Sequence, residues 1–122
     1  MIPPIPKKLL PHSAELITKF NADKWGNASE SDSTLLEHIR IEPSEKIIQE
    51  DSEKKIKLSA TLFYDQKNSF PDVIFALNGD VIGEKNVDVQ QVIFGGRIFT
   101  VKTIEAHYAD CKNIHHYEIG LV

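Results

Sequence analysis

The residues best equipped for chemistry are three histidines towards the C-terminal end, His107, His115 and His116. Imidazole serves near neutral pH both as a metal ligand and as a proton-transfer group. His115 and His116 are adjacent, so on a strand their rings leave opposite faces and cannot both reach one ion without a bulge. A zinc centre also needs a third and often a fourth ligand, and no Cys or second His pair stands at a suitable spacing. The expectation is no metal and no cofactor, with these histidines acting as strand or interface residues. Four acids, Asp65, Asp72, Asp80 and Glu84, lie in or near turns. Acid–base hydrolysis needs two carboxyls facing each other across a cleft, whereas capping of turns is the commoner use of Asp. Gly95-Gly96 precedes a strand pattern rather than a helix, which removes the phosphate-loop reading. Cys111 stands beside Lys112 without a nucleophile motif and reads as a lone, partly buried thiol. No catalytic residue is assigned, and the chain reads as non-enzymatic.

The elements that position these groups are strands. Leu16, Thr18 and Phe20 place a short strand over 13–20, and Ile39 and Ile41 alternate with His38, Arg40 and Glu42 in a strand over 34–42 that stops at Pro43. Ile56, Leu58, Ala60, Leu62 and Tyr64 alternate with Lys57, Ser59, Thr61, Phe63 and Asp65, the clearest period of two in the chain. Val73–Leu77 is a short apolar piece, and Asn78-Gly79-Asp80 turns the chain into Val81 and Ile82. Val87–Phe94 and Arg97–His107 read as a hairpin joined at Gly95-Gly96, where positive φ is free. Tyr117, Ile119 and Leu121 alternate with His116, Glu118 and Gly120 in a last strand. About seven short strands and no long helical pattern predict an all-β fold, a small antiparallel barrel or sandwich with long loops.

Two loops and an arm complete the outline. Residues 21–33 are rich in Asn, Asp, Ser and Gly, and Trp25 within them is a lid over the core or a contact residue. The stretch Ser44–Lys55 is dense in charge of both signs and reads as a solvated hairpin excursion or a short helical turn. Residues 1–12 form an extended arm, because prolines at 3, 4, 6 and 11 fix φ and remove backbone donors. The remainder, 13–122, is a single domain.

Composition supports an ordinary globular protein: 41% of residues are hydrophobic and 26% are charged, neither of which suggests disorder. The net charge of −4 argues against a protein that grips nucleic-acid phosphates. No apolar run approaches the ~18 residues needed to span a bilayer, and the prolines and lysine pair of the first dozen residues do not form a signal peptide. One cysteine forms no internal disulfide and suits synthesis in a reducing cytoplasm.

Several segments, in order, carry a resemblance: Pro4-Ile-Pro-Lys-Lys-Leu-Leu-Pro-His12, Trp25-Gly26, Leu36–Pro43 with its Ile-Arg-Ile-Glu-Pro ending, Leu62-Phe-Tyr-Asp-Gln-Lys-Asn-Ser-Phe70, Asn78-Gly-Asp-Val-Ile82, Phe94-Gly-Gly-Arg-Ile-Phe-Thr-Val-Lys102 and His115-His-Tyr-Glu-Ile119. Together they resemble the minor capsid proteins encoded in the head–tail module of tailed phages and prophages of Gram-positive bacteria. The resemblance implies a structural virion protein made in the bacterial cytoplasm and placed at the head–tail junction. Such a stopper forms a ring below the portal and its adaptor, closes the channel after DNA packaging and docks the tail. Stoppers of long-tailed phages are small β-barrels with extended arms. The implied partners are the portal and adaptor ring, tail-completion or tail-tube proteins, further copies of the chain (monomeric when free) and, transiently, DNA; no membrane is involved. On this reading Ile2, Ile5, Leu9 and Leu10 anchor the arm on a neighbouring subunit. Glu45, Glu50, Asp51 and Glu53 line a gating loop that phosphates do not adhere to, and Trp25, His115 and His116 are interface residues. The loop 66–71 is a competing gate. Alternatives are an adaptor or tail-completion role in the same module, or a small metal- or ligand-binding barrel.

Overall fold

The computed structural model describes residues 4–21, 31–49, 55–110 and 112–122. Among the described residues nine strands run in chain order: β1 (His12–Phe20), β2 (Ser31–Pro43), β3 (Ile47–Gln49), β4 (Lys55–Lys57), β5 (Ala60–Asp65), β6 (Val81–Ile82), β7 (Lys85–Phe94), β8 (Arg97–Tyr108) and β9 (Ile114–Leu121). The only helical piece among the described residues is a 3₁₀ turn over Lys7–Leu9, and none is long and apolar enough to cross a membrane. Strand order β1-β2-β5-β9-β8-β7 closes on itself through the β1–β7 pairing, giving an antiparallel barrel of the expected class. Closure leaves no free edge along the barrel wall.

Alternation decides what the barrel encloses. Leu16, Leu36, Ile39, Leu62, Tyr64, Val92, Phe99, Ile119 and Leu121 point inwards and form one core. Two irregularities bend the wall. His38 sits at φ +54° where β2 changes its pairing from β1 to β5, so this residue bulges out of register. Opposite Gly120 the register of β8 slips, and a Cβ there would come within 2.2 Å of Thr103 Oγ1 and 2.9 Å of Leu58. The β7–β8 hairpin turns at Gly95 and Gly96 with φ of +60° and +77°, as their sequence predicts.

One sequence expectation changes, one is narrowed, and one unassigned segment gains a shape. The period-two run 56–65 is not one strand: it breaks at Leu58–Ser59, where Ser59 N donates to Leu121 O and the chain leaves the barrel as β4. Of the two readings of the stretch after Pro43 the hairpin excursion holds, with β3 paired to β4, and the helical turn does not. The apolar piece 73–77, given no element from sequence, is not a strand, and its backbone is held by a side chain. Gln90, buried, accepts from Ala76 N (2.7 Å) and donates to Ile74 O (2.8 Å) and Thr18 Oγ1 (3.0 Å). Val73 and Phe75 thereby pack onto the core at the end of the barrel where β5 stops short of β2, with Phe75 against Tyr64 and Tyr117.

Candidate assembly surfaces

The arm is fastened by one buried carboxylate. Asp65, the last residue of β5, accepts through Oδ1 from Ile5 N (3.0 Å) and through Oδ2 from Asn68 N (2.8 Å) and Lys67 N (3.2 Å). Asn68 Nδ2 returns a bond to Ile5 O (2.7 Å), and Ser69 Oγ joins the same corner to the bulge carbonyl of His38. The loop 66–71 is thus locked at both ends, with Tyr64 OH donating to Pro71 O (2.6 Å) and a bridge between Phe70 and Glu37. Desolvation, chiefly, and the nearby charge of Asp72 push the Tyr64 hydroxyl up to about 12.

Of the expected arm anchors, Leu10 is buried within its own chain, Ile5 is partly covered and Leu9 remains 45% exposed; Ile2 lies outside the described residues. In the expected gating loop, Glu45 is exposed, while Glu50, Asp51 and Glu53 lie outside the described residues, as do Trp25 and Cys111. Below the β3–β4 hairpin its two arms are joined by backbone bonds, Leu58 N to Lys46 O (2.9 Å) and Ser44 N to Ser59 O (3.0 Å), which carry on the β2–β5 ladder. Its described ion pairs, Lys46–Glu105 (3.3 Å) and Lys57–Glu45 (3.9 Å), are on the surface. Of the acids in turns, Asp65 and Asp80 cap as expected, Asp80 accepting from Leu77 N (2.8 Å). Asp110 does likewise at the β8–β9 turn: bonds from Lys112 N and from Asn113 hold its carboxyl below the usual range.

The histidines occupy the outer face of the β8–β9 ladder. His107 stands directly opposite His116, and Glu105 directly opposite Glu118. The His107 and His116 rings stack in parallel, 4.8 Å between centroids, and both Nε2 atoms approach Glu118 Oε2, at 2.8 and 3.1 Å. His115 leaves the strand differently and meets His116 Nδ1 through its own Nδ1 at 2.8 Å. Sequence reasoning grouped the histidines but overlooked Glu118 and Glu105. The signal was present, since 105/107 and 116/118 are same-face pairs on two strands joined by a short turn.

A shallow groove of about 570 Å³ lies beside this face, lined by Pro4, Lys67, Asp110, Ile114 and His115 among others. None of these features assembles a nucleophile, base and oxyanion site. No curated protein and no solved structure matches the chain. The family described as Minor capsid protein does match, over residues 6–121.

Proposed function

The chain belongs to the minor capsid protein family, and on that premise we propose that it is a head-closure subunit of a phage neck. Family membership makes it a structural component of a virion. In the proposed role it forms a ring beneath the portal and adaptor, closes the DNA channel after packaging and presents the docking surface for the tail. The observation that carries the reading is that the family match covers a closed barrel with one charged hairpin, β3–β4, set apart from its sheet. A subunit that must plug a channel and later release it needs a rigid body and a separable element, and the hairpin is a two-stranded sheet apart from the barrel sheet. Glu45 and the sequence acids Glu50, Asp51 and Glu53 keep DNA phosphates from adhering, by like-charge repulsion.

The arm is the strap between neighbours. A ring uses a heterologous contact, one patch against a different patch of the next copy. Leu10 anchors the arm to its own barrel, which leaves Leu9, Ile5 and Ile2 to meet the neighbour. Prolines lower the ordering entropy that such a contact costs. Trp25, His115 and His116 are assigned to portal-side or tail-side contacts, and encounter with DNA is transient.

Electron microscopy of particles from a phage deleted for this gene, with encapsidated DNA assayed alongside, tests the role. Free tails beside tailless heads that packaged DNA and leak it are expected. Normal infectious virions, or heads that never fill, overturn the proposal.

A further inference from the structure

We infer that the outer face of the β8–β9 ladder is a binding site for a divalent transition-metal ion, zinc in the first instance, with His107 Nε2, His116 Nε2 and Glu118 Oε2 as ligands. The three ligand atoms lie within 4.8 Å of one another and come from two strands whose pairing fixes their spacing. Two imidazoles and one carboxylate suit zinc, and three protein ligands leave a position for water or a group from a binding partner.

Two features of the face point to an ion rather than to simple strand pairing. Glu105 and Glu118 are directly opposite across the ladder, an arrangement that like charges destabilise; Lys46 pairs with Glu105, and His107 Nε2 lies between the two carboxylates, 3.5 Å from Glu105 and 2.8 Å from Glu118. His107 Nε2 is buried yet makes no hydrogen bond among the described residues, although Glu118 Oε2 is only 2.8 Å away. A ring nitrogen so close to a carboxylate but misdirected for a bond is the geometry that a shared cation resolves. His116 already has its other nitrogen engaged by His115, the kind of outer contact that sets the ring of a ligating histidine. Binding requires the parallel rings to rotate about χ2 until both lone pairs meet, and both are partly exposed, so there is room to turn. The bound ion would tie β8 to β9 at the end of the barrel that carries the arm.

Calorimetric titration of the untagged full chain with zinc chloride, together with thermal melts, tests the site. One ion per chain and a melting temperature raised by zinc are expected. Glu118→Gln, nearly isosteric, and His107→Ala should each weaken binding at least about tenfold and abolish the thermal shift. Asp32→Asn, on the far side of the barrel, should bind as the parent does. Circular dichroism establishes folding of each variant, and Glu118→Gln decides the matter if His107→Ala fails to fold. Absence of zinc binding by the parent, or binding undiminished in Glu118→Gln, overturns the assignment.

Discussion

Two excursions leave the barrel wall, and they are held by opposite means. The segment 66–77 is pinned by interior groups: Asp65, Ser69, Tyr64 and Gln90 each bond its backbone or that of its neighbours. The two arms of the β3–β4 hairpin are joined at its base by backbone bonds, and a surface ion pair, Lys46–Glu105, links it to β8. Buried polar groups are costly to leave unpaired, so a loop that satisfies them behaves as part of the core. Exposed ion pairs contribute about 0–1 kcal/mol and are screened by salt. In the proposed role the gate is the hairpin, and the loop 66–71, the competing candidate that the resemblance offers, is part of the barrel end.

The comparison is most directly broken at Asp65. Asp65→Ala strands three backbone N–H groups and should lower stability by about 3–5 kcal/mol in urea melts. It should also free the arm, read as faster amide exchange at Ile5. A loss under about 1 kcal/mol would show that the pinned loop is not pinned by its carboxylate.

Raising pH tests the same loop without mutation. The Tyr64 hydroxyl is raised to about 12 in the fold from 10.0 in the unfolded chain. The folded state therefore keeps its proton while the unfolded chain releases it. Stability is intact below pH 10 and declines as pH climbs towards 12, by up to about 2–3 kcal/mol. Tyr64→Phe should remove that decline; an alkaline profile identical to the parent's would assign it to another group.

Gln90→Ala should cost about 2 kcal/mol, because Ala76 N, Ile74 O and Thr18 Oγ1 lose one shared partner. Its effect should be local, exposing the 73–77 segment to exchange before the barrel strands. At the other extreme, Lys46→Ala should change stability by less than about 0.5 kcal/mol at moderate salt. Limited digestion with a lysine-specific protease sharpens the contrast: cleavage at Lys46 or Lys57 is expected before cleavage at Lys67. The reverse order would make 66–71 the looser excursion.

Legibility followed the range of the interactions. The hairpin at Gly95-Gly96, the last strand and the turn at 78–80 were readable because period-two patterning and positive-φ glycines are local signals. The break at Leu58–Ser59 was not, since Leu58 continues the apolar alternation and departs only because Ser59 pairs with Leu121. Nor was the shape of 73–77, whose apolar residues look like a strand until Gln90, far along the chain, takes its backbone groups. Asp65 looked like one turn-capping acid among four, and its added hold on Ile5 depends on an arm sixty residues away.

The sequence by itself determined the class of the fold, the positions of most strands and, through its ordered segments, the family. These rest on near-neighbour preferences and on patterns that survive without coordinates. Only the tertiary structure decided that β1 closes on β7, that Leu10 belongs to its own barrel and that His107, His116 and Glu118 converge. Each depends on strand register and on contacts between residues distant in the chain, and many pairings satisfy the same alternation until the core selects one.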